Sequence, residues 1–158
     1  MKSKKTEIKW ALIFTVITLL WMLLEKAVGL HDIHIDKHAT YTNLFAIPAI
    51  LVYVLALREK RANTYHGKIP YVKALKSGIW LTFFATILAP FSQYITSTII
   101  TPDYFSYAIE HAIENGLMDP ESAESYFSTA NYVRISLIGT PIMGLLTSAI
   151  VAFFVKTK

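Results

Sequence analysis

The sequence contains no cysteine, which excludes disulfides, thiolate metal sites and thiol catalysis while leaving the redox compartment open. Charged residues make up 16% of the chain, against 54% hydrophobic residues. Charge is absent from the middle of each of four long apolar stretches, so a proton relay or voltage sensor within them has no obvious residues. There is no phosphate-binding loop, no nucleophile elbow and no pair of carboxylates inside an apolar stretch; the chain reads as a non-enzyme, because no catalytic motif is present.

What remains is a pattern of sign. Lys2, Lys4, Lys5, Lys9, Arg58, Lys60, Arg61, Lys68, Lys73, Lys76, Lys156 and Lys158 fall in the first tail, the second polar loop and the last tail. Only Glu7 and Glu59 oppose them there. The first and third loops reverse the balance: Lys26, Lys37 and Arg134 stand against nine acidic residues. Lysine and arginine beside an apolar helix resist translocation, so this alternation predicts a multi-pass membrane protein with its N- and C-termini cytoplasmic. The net charge of +4 then reflects topology and attraction to anionic head groups. No nucleic-acid partner is expected; membrane lipid is.

Four spans are expected, at about residues 10–30, 39–57, 77–100 and 135–155, in a single domain covering residues 1–158. A bilayer core of ~30 Å takes about 20 helical residues. The rival reading of the first stretch is a cleaved signal peptide, with Ala27-Val28-Gly29 as its cleavage site; Glu25 and Lys26 just before that site argue against it. Pro48 is expected to bend the second span, since proline removes a helical hydrogen bond. The loop 59–71, with Asn63, His66-Gly67 and Pro70, reads as turn chemistry. Gly78, Thr82, Thr86 and Pro90 recur every four residues in the third span, and Thr140, Gly144, Ser148 and Ala152 in the fourth. Small residues at that spacing predict that these two spans pack closely on each other.

Residues 102–131 are expected to form a short amphipathic helical hairpin on the acidic side. Thr101-Pro102-Asp103 and Asp119-Pro120-Glu121 read as helix starts, and Phe105, Ala108, Ile109, Ala112 and Ile113 as an apolar stripe ending at Gly116. The fold class is therefore all-α: four transmembrane helices with a hairpin between the third and fourth. The acidic polar face disfavours adhesion to anionic lipid and suits capping of the bundle or contact with a partner.

The densest polar cluster is 31–38. In a helix, His31, His34 and His38 would share one face; extended, Asp32, His34, Asp36 and His38 would alternate onto one. Three imidazoles can hold Zn²⁺ with an open fourth position, and aspartates can orient them. The candidate metal residues are thus His31, His34, His38, Asp32 and Asp36, with zinc or another divalent ion as the possible cofactor and none required. A polar crossing loop is the plainer reading. Glu110, His111 and Glu114 could add ligands but read as a solvated helix face. Glu25 and Arg134 both fall at the outer interface, where each is expected to snorkel to water rather than pair.

The stretches LHDIHIDKHATYTNLFAIPAILVYVLAL (30–57), QYITSTIITPDYF (93–105) and TSAIVAFF (147–154) resemble the bacterial membrane family catalogued as domain of unknown function 4199 (DUF4199). The resemblance implies a four-span helical protein of the bacterial inner membrane with no assigned activity. It carries no functional residues across. The expected role is structural or accessory, through helix contacts and the acidic hairpin, with a homo-oligomer or another membrane protein as partner. The alternative is a metal-ion or proton channel, transporter or sensor using the histidine–aspartate loop.

Overall fold

The structure, a computed structural model, describes residues 4–157; Lys2 and Lys158 of the basic tails lie outside the described residues. The order is α1 (Lys5–Ala27), α2 (Ile35–Tyr41), α3 (Ala46–Tyr65), α4 (Tyr71–Ile95), α5 (Tyr104–Glu114), α6 (Pro120–Tyr126) and α7 (Thr129–Val155), with no strand among the described residues. A 3₁₀ turn, Thr42–Phe45, joins α2 to α3 without a break, and a π turn, Thr96–Ile100, extends α4.

Four helical stretches are long and apolar enough to cross a membrane: Lys5–Ala27, Ile35–Tyr65, Tyr71–Ile100 and Thr129–Val155. Each keeps only 11% to 33% of its most apolar window buried inside the protein. Val16, Leu20, Ile47, Phe83, Ile138 and Phe154 all point outward. Monomers in water do not expose apolar surface on that scale.

The tightest joint is between α4 and α7. A Cβ at Gly78 would fall 2.6 Å from Ser148 Oγ, and one at Gly144 would fall 2.5 Å from Thr82 Cγ2. Each helix thus offers a glycine where the other offers a hydroxyl residue, so the backbones approach as the two four-residue stripes predict. The hydroxyls are satisfied within this joint. Thr82 Oγ1 donates to the Gly78 carbonyl at 2.9 Å and lies 2.9 Å from the Tyr53 hydroxyl; Ser148 Oγ donates to the Gly144 carbonyl.

The apolar core sits at the end of the bundle rich in lysine and arginine. Leu57, Ile69, Ala74, Leu81, Val151, Ala152 and Val155 pack there. Backbone ties close it: Arg61 Nη1 donates to the Val155 carbonyl at 3.0 Å, and Ile69 N–H donates to Thr157 Oγ1 at 2.8 Å. At the opposite end α5 packs on α2 and α6, and α6 on α7, forming the helical hairpin. Asp119 caps α6 by accepting from Ser122 N–H at 3.0 Å, with Pro120 at the first helical position.

Three sequence expectations shift. The second apolar stretch does not end its helix at 57; α3 runs on through Arg58–Tyr65, because charge ends contact with lipid but not helical hydrogen bonding. The turn is confined to 66–70, where His66 (φ 51°) and Gly67 (φ 86°) take the left-handed region. Pro48 produces the 3₁₀ turn one helical turn before it, where its ring would otherwise meet the Leu44 carbonyl. Thr101 does not cap α5: its hydroxyl turns back to the Thr96 carbonyl at 3.2 Å, and the helix starts at Tyr104.

The joint sets a contrast between two glycines. Gly78→Leu should cost at least about 1–3 kcal/mol through overpacking. Gly139, with open space where a Cβ would stand, should accept alanine at no loss and gain up to about 1 kcal/mol of helix propensity. Thermal unfolding of the two variants in detergent checks both signs.

Candidate functional site

At the hairpin end, α1 delivers Trp21 and Glu25 on one face, four residues apart, and the Trp21 indole donates to Glu25 Oε1. The helix stops at Ala27 and the chain reverses through Gly29 (φ 79°). His34 N–H donates to the Gly29 carbonyl at 2.8 Å, and Leu30 N–H to the Glu25 carbonyl at 2.9 Å. A Cβ at Gly29 would fall 2.6 Å from Ile33 Cγ1, so both conformation and space require glycine there.

That reversal lays His31 over Glu25, and α2 brings His38 beside it. His31 Nε2 lies 3.0 Å and His38 Nε2 3.3 Å from the same oxygen, Glu25 Oε2. Glu25 is 1% exposed, His31 6% and the His38 side chain 20%. Tyr104, at the start of α5, completes a triangle of rings whose centroids stand 5.2 Å apart pairwise. Its hydroxyl is 3.3 Å from His38 Nδ1 and 3.4 Å from the Tyr132 hydroxyl on α7. Burial pushes the Tyr104 phenol above its ordinary range, which keeps it an O–H donor. His31 Nδ1 is buried with no hydrogen-bond partner.

A carboxylate taken out of water needs compensating charge or hydrogen bonds. Glu25 receives hydrogen bonds from Trp21 and His31, while Lys26 beside it is engaged by the Ile100 carbonyl. The cluster therefore joins α1, α2, α5 and α7 through one buried acid.

Of the sequence candidates, His31 and His38 come together; His34, Asp32 and Asp36 are exposed and outside the cluster. Neither a single helix nor a strand spans 31–38: a turn carries His31 and a helix carries His38. Asp32 Oδ1 accepts from Ile33 N–H, and Asp36 lies in the first turn of α2. Glu110 and Glu114 face outward, while His111 lies 3.2 Å from the Asn115 side chain. The expectation that Glu25 snorkels is corrected: the Gly29 reversal roofs it with His31, whereas Arg134 is exposed.

A second buried acid lies at the basic end. Glu7, 2% exposed, accepts from Lys60 Nζ and from Ser77 Oγ at 2.8 Å, tying α1 to α3 and α4. Between the two ends a cavity of about 390 Å³ opens among the long helices. Thr18, Asn43, Tyr53, Gln93, Ser136 and Thr140 give its largely apolar wall a polar side.

These features define an all-helical protein with four membrane-capable helices and a largely buried polar cluster beside a helical hairpin. Over residues 9–157 the sequence matches the family described as protein of unknown function (DUF4199), and the chain belongs to that family. No curated protein and no solved structure matches it.

Glu25→Ala should destabilise the protein by about 3–5 kcal/mol, as removal of one member of a buried charged cluster does. Hydrogen exchange should accelerate most in α5. Exposed Glu110→Ala should stay within about 0.5 kcal/mol of wild type. Equal effects of the two substitutions would return Glu25 to the solvated interface.

Proposed function

We propose that this protein is a four-span integral protein of a bacterial inner membrane, with both termini cytoplasmic and the acidic hairpin on the outer side. Its role is structural or accessory: the exposed helix faces meet lipid and membrane-protein partners, and the hairpin offers a rigid acidic contact outside. One observation carries this reading. An apolar belt of outward-facing side chains lies between an end rich in lysine and arginine and an end carrying α5 and α6, the arrangement that the positive-inside rule produces.

The alternative, a metal-ion or proton channel, transporter or sensor, is favoured by the Glu25–His31–His38 cluster. Passage is opposed by the joint beneath it, where Tyr53, Thr82 and Ser148 are at most 3% exposed and Tyr53 is hydrogen-bonded to Thr82. What that cluster supports is binding at the outer end.

The natural absence of cysteine makes the topology directly testable. In bacterial cells, Asn115→Cys should react with a membrane-impermeant maleimide from outside, and Lys68→Cys only after permeabilisation. Labelling of Lys68→Cys in intact cells would overturn the orientation. A native pull-down should then recover either a second copy or a membrane-protein partner.

A further inference from the structure

We propose that Glu25, His31 and His38 form a binding site for a divalent first-row transition metal of the Zn²⁺ type, reached from the hairpin end, with Tyr104 as the positioning residue for His38. This goes beyond the accessory reading and does not depend on the identity of a partner.

The donor set is the first reason. Two imidazoles and one carboxylate are the ligands borderline metals prefer, and three protein ligands leave a fourth position for water or an exchangeable group. The second reason is convergence. Both Nε2 atoms lie against one carboxylate oxygen, at 3.0 and 3.3 Å, and each of the three residues offers a ligand atom within 4.8 Å of the others. Metal bonds of about 2.0–2.1 Å give a tetrahedron with ligand–ligand edges of about 3.3–3.4 Å. The two nitrogen–oxygen separations thus lie near the edges of one small coordination polyhedron.

The third reason is the support around the ligands. Metal-bound histidines are oriented through their other ring nitrogen, and His38 Nδ1 faces the Tyr104 hydroxyl, which faces Tyr132. Without metal, Tyr104 donates to Nδ1, and the His38 proton sits on Nε2, 3.3 Å from Glu25 Oε2. With metal, Nε2 offers its lone pair, Nδ1–H donates to Tyr104, and Tyr104 donates to Tyr132. The reversal keeps the same hydrogen-bonded pairs, His38 with Tyr104 and Tyr104 with Tyr132. Glu25 and His31 are held by the Gly29 reversal, and the part-exposed edge of His38 is the side from which an ion arrives. A dication also supplies the positive charge that a buried carboxylate requires.

The test uses the full chain, purified in detergent, stripped with a chelator and titrated with Co²⁺ and then Zn²⁺. One Co²⁺ per chain should bind with the intense visible bands of four-coordinate cobalt, and Zn²⁺ should bleach them. His31→Ala/His38→Ala should weaken binding at least about 100-fold, whereas His34→Ala should stay within about threefold, since that residue is exposed. Tyr104→Phe should weaken binding about tenfold and shift the cobalt bands, a change that a purely structural role would not produce. If the double variant binds like wild type, or if wild type shows only weak six-coordinate bands, the cluster is a hydrogen-bonded tie and the proposal fails. Should the alanine variants not fold, wild type decides alone: its Tm should rise with added Zn²⁺, and an unchanged Tm at saturating zinc overturns the site. Cysteine labelling reads topology without metal, so the two proposals fail separately.

Discussion

The close approach of α4 and α7 is the constraint on which the other contacts depend. Beside lipid, apolar side chains gain nothing by leaving the solvent for each other, so association has to come from contact distance and from hydrogen bonds. Gly78 and Gly144 supply the distance by having no Cβ where Ser148 and Thr82 intrude. The hydroxyls that enter those spaces bond to the carbonyls one turn back, and Tyr53 attaches α3 to the same point. With α4 and α7 fixed, α1 can lie against α4 and bring both of its buried acids to partners on other helices.

Those two acids show how a membrane-type fold uses polarity as fastening. Glu7 and Glu25 sit near opposite ends of α1, eighteen positions apart in the sequence, and each is nearly inaccessible. Each is met by groups from other segments: Lys60 and Ser77 at one end, His31 and His38 at the other, where Trp21 of α1 itself adds a donor. The exposed side of α1 is free of such demands and carries Leu12, Val16, Leu20 and Leu23 outward. Helix α1 is thus pinned at its tips and lubricated along its length.

The four apolar helices, the α4–α7 stripes and the Asp119-Pro120 start were legible because each is local: hydropathy, four-residue spacing and capping are read within a few turns. The polar cluster was legible only by half. His31 and His38 stood out as imidazoles in a dense polar loop, but Glu25 carried the default of any charge at a helix end, which is to reach for water. Its burial depends on a single left-handed residue, Gly29, folding the following loop back on the helix it has just left. Tyr104 and Tyr132 come from residues more than sixty positions beyond His38 or His31, and no spacing rule connects them. Glu7 was hidden similarly, counted as one charge in a basic tail until Lys60 and Ser77 enclosed it.

The distribution of buried residues along α7 has a mechanical meaning. Every buried position of that helix lies from Gly144 onward, while the stretch before it, with Ser136, Gly139, Thr140 and Met143, borders the cavity. The bundle is therefore built like a tuning fork, close-packed at the root and open between the tines. The Glu25 cluster sits at the hairpin end as a brace across the opening, tying α1, α2 and α5 together where the long helices have no close-packed joint of their own.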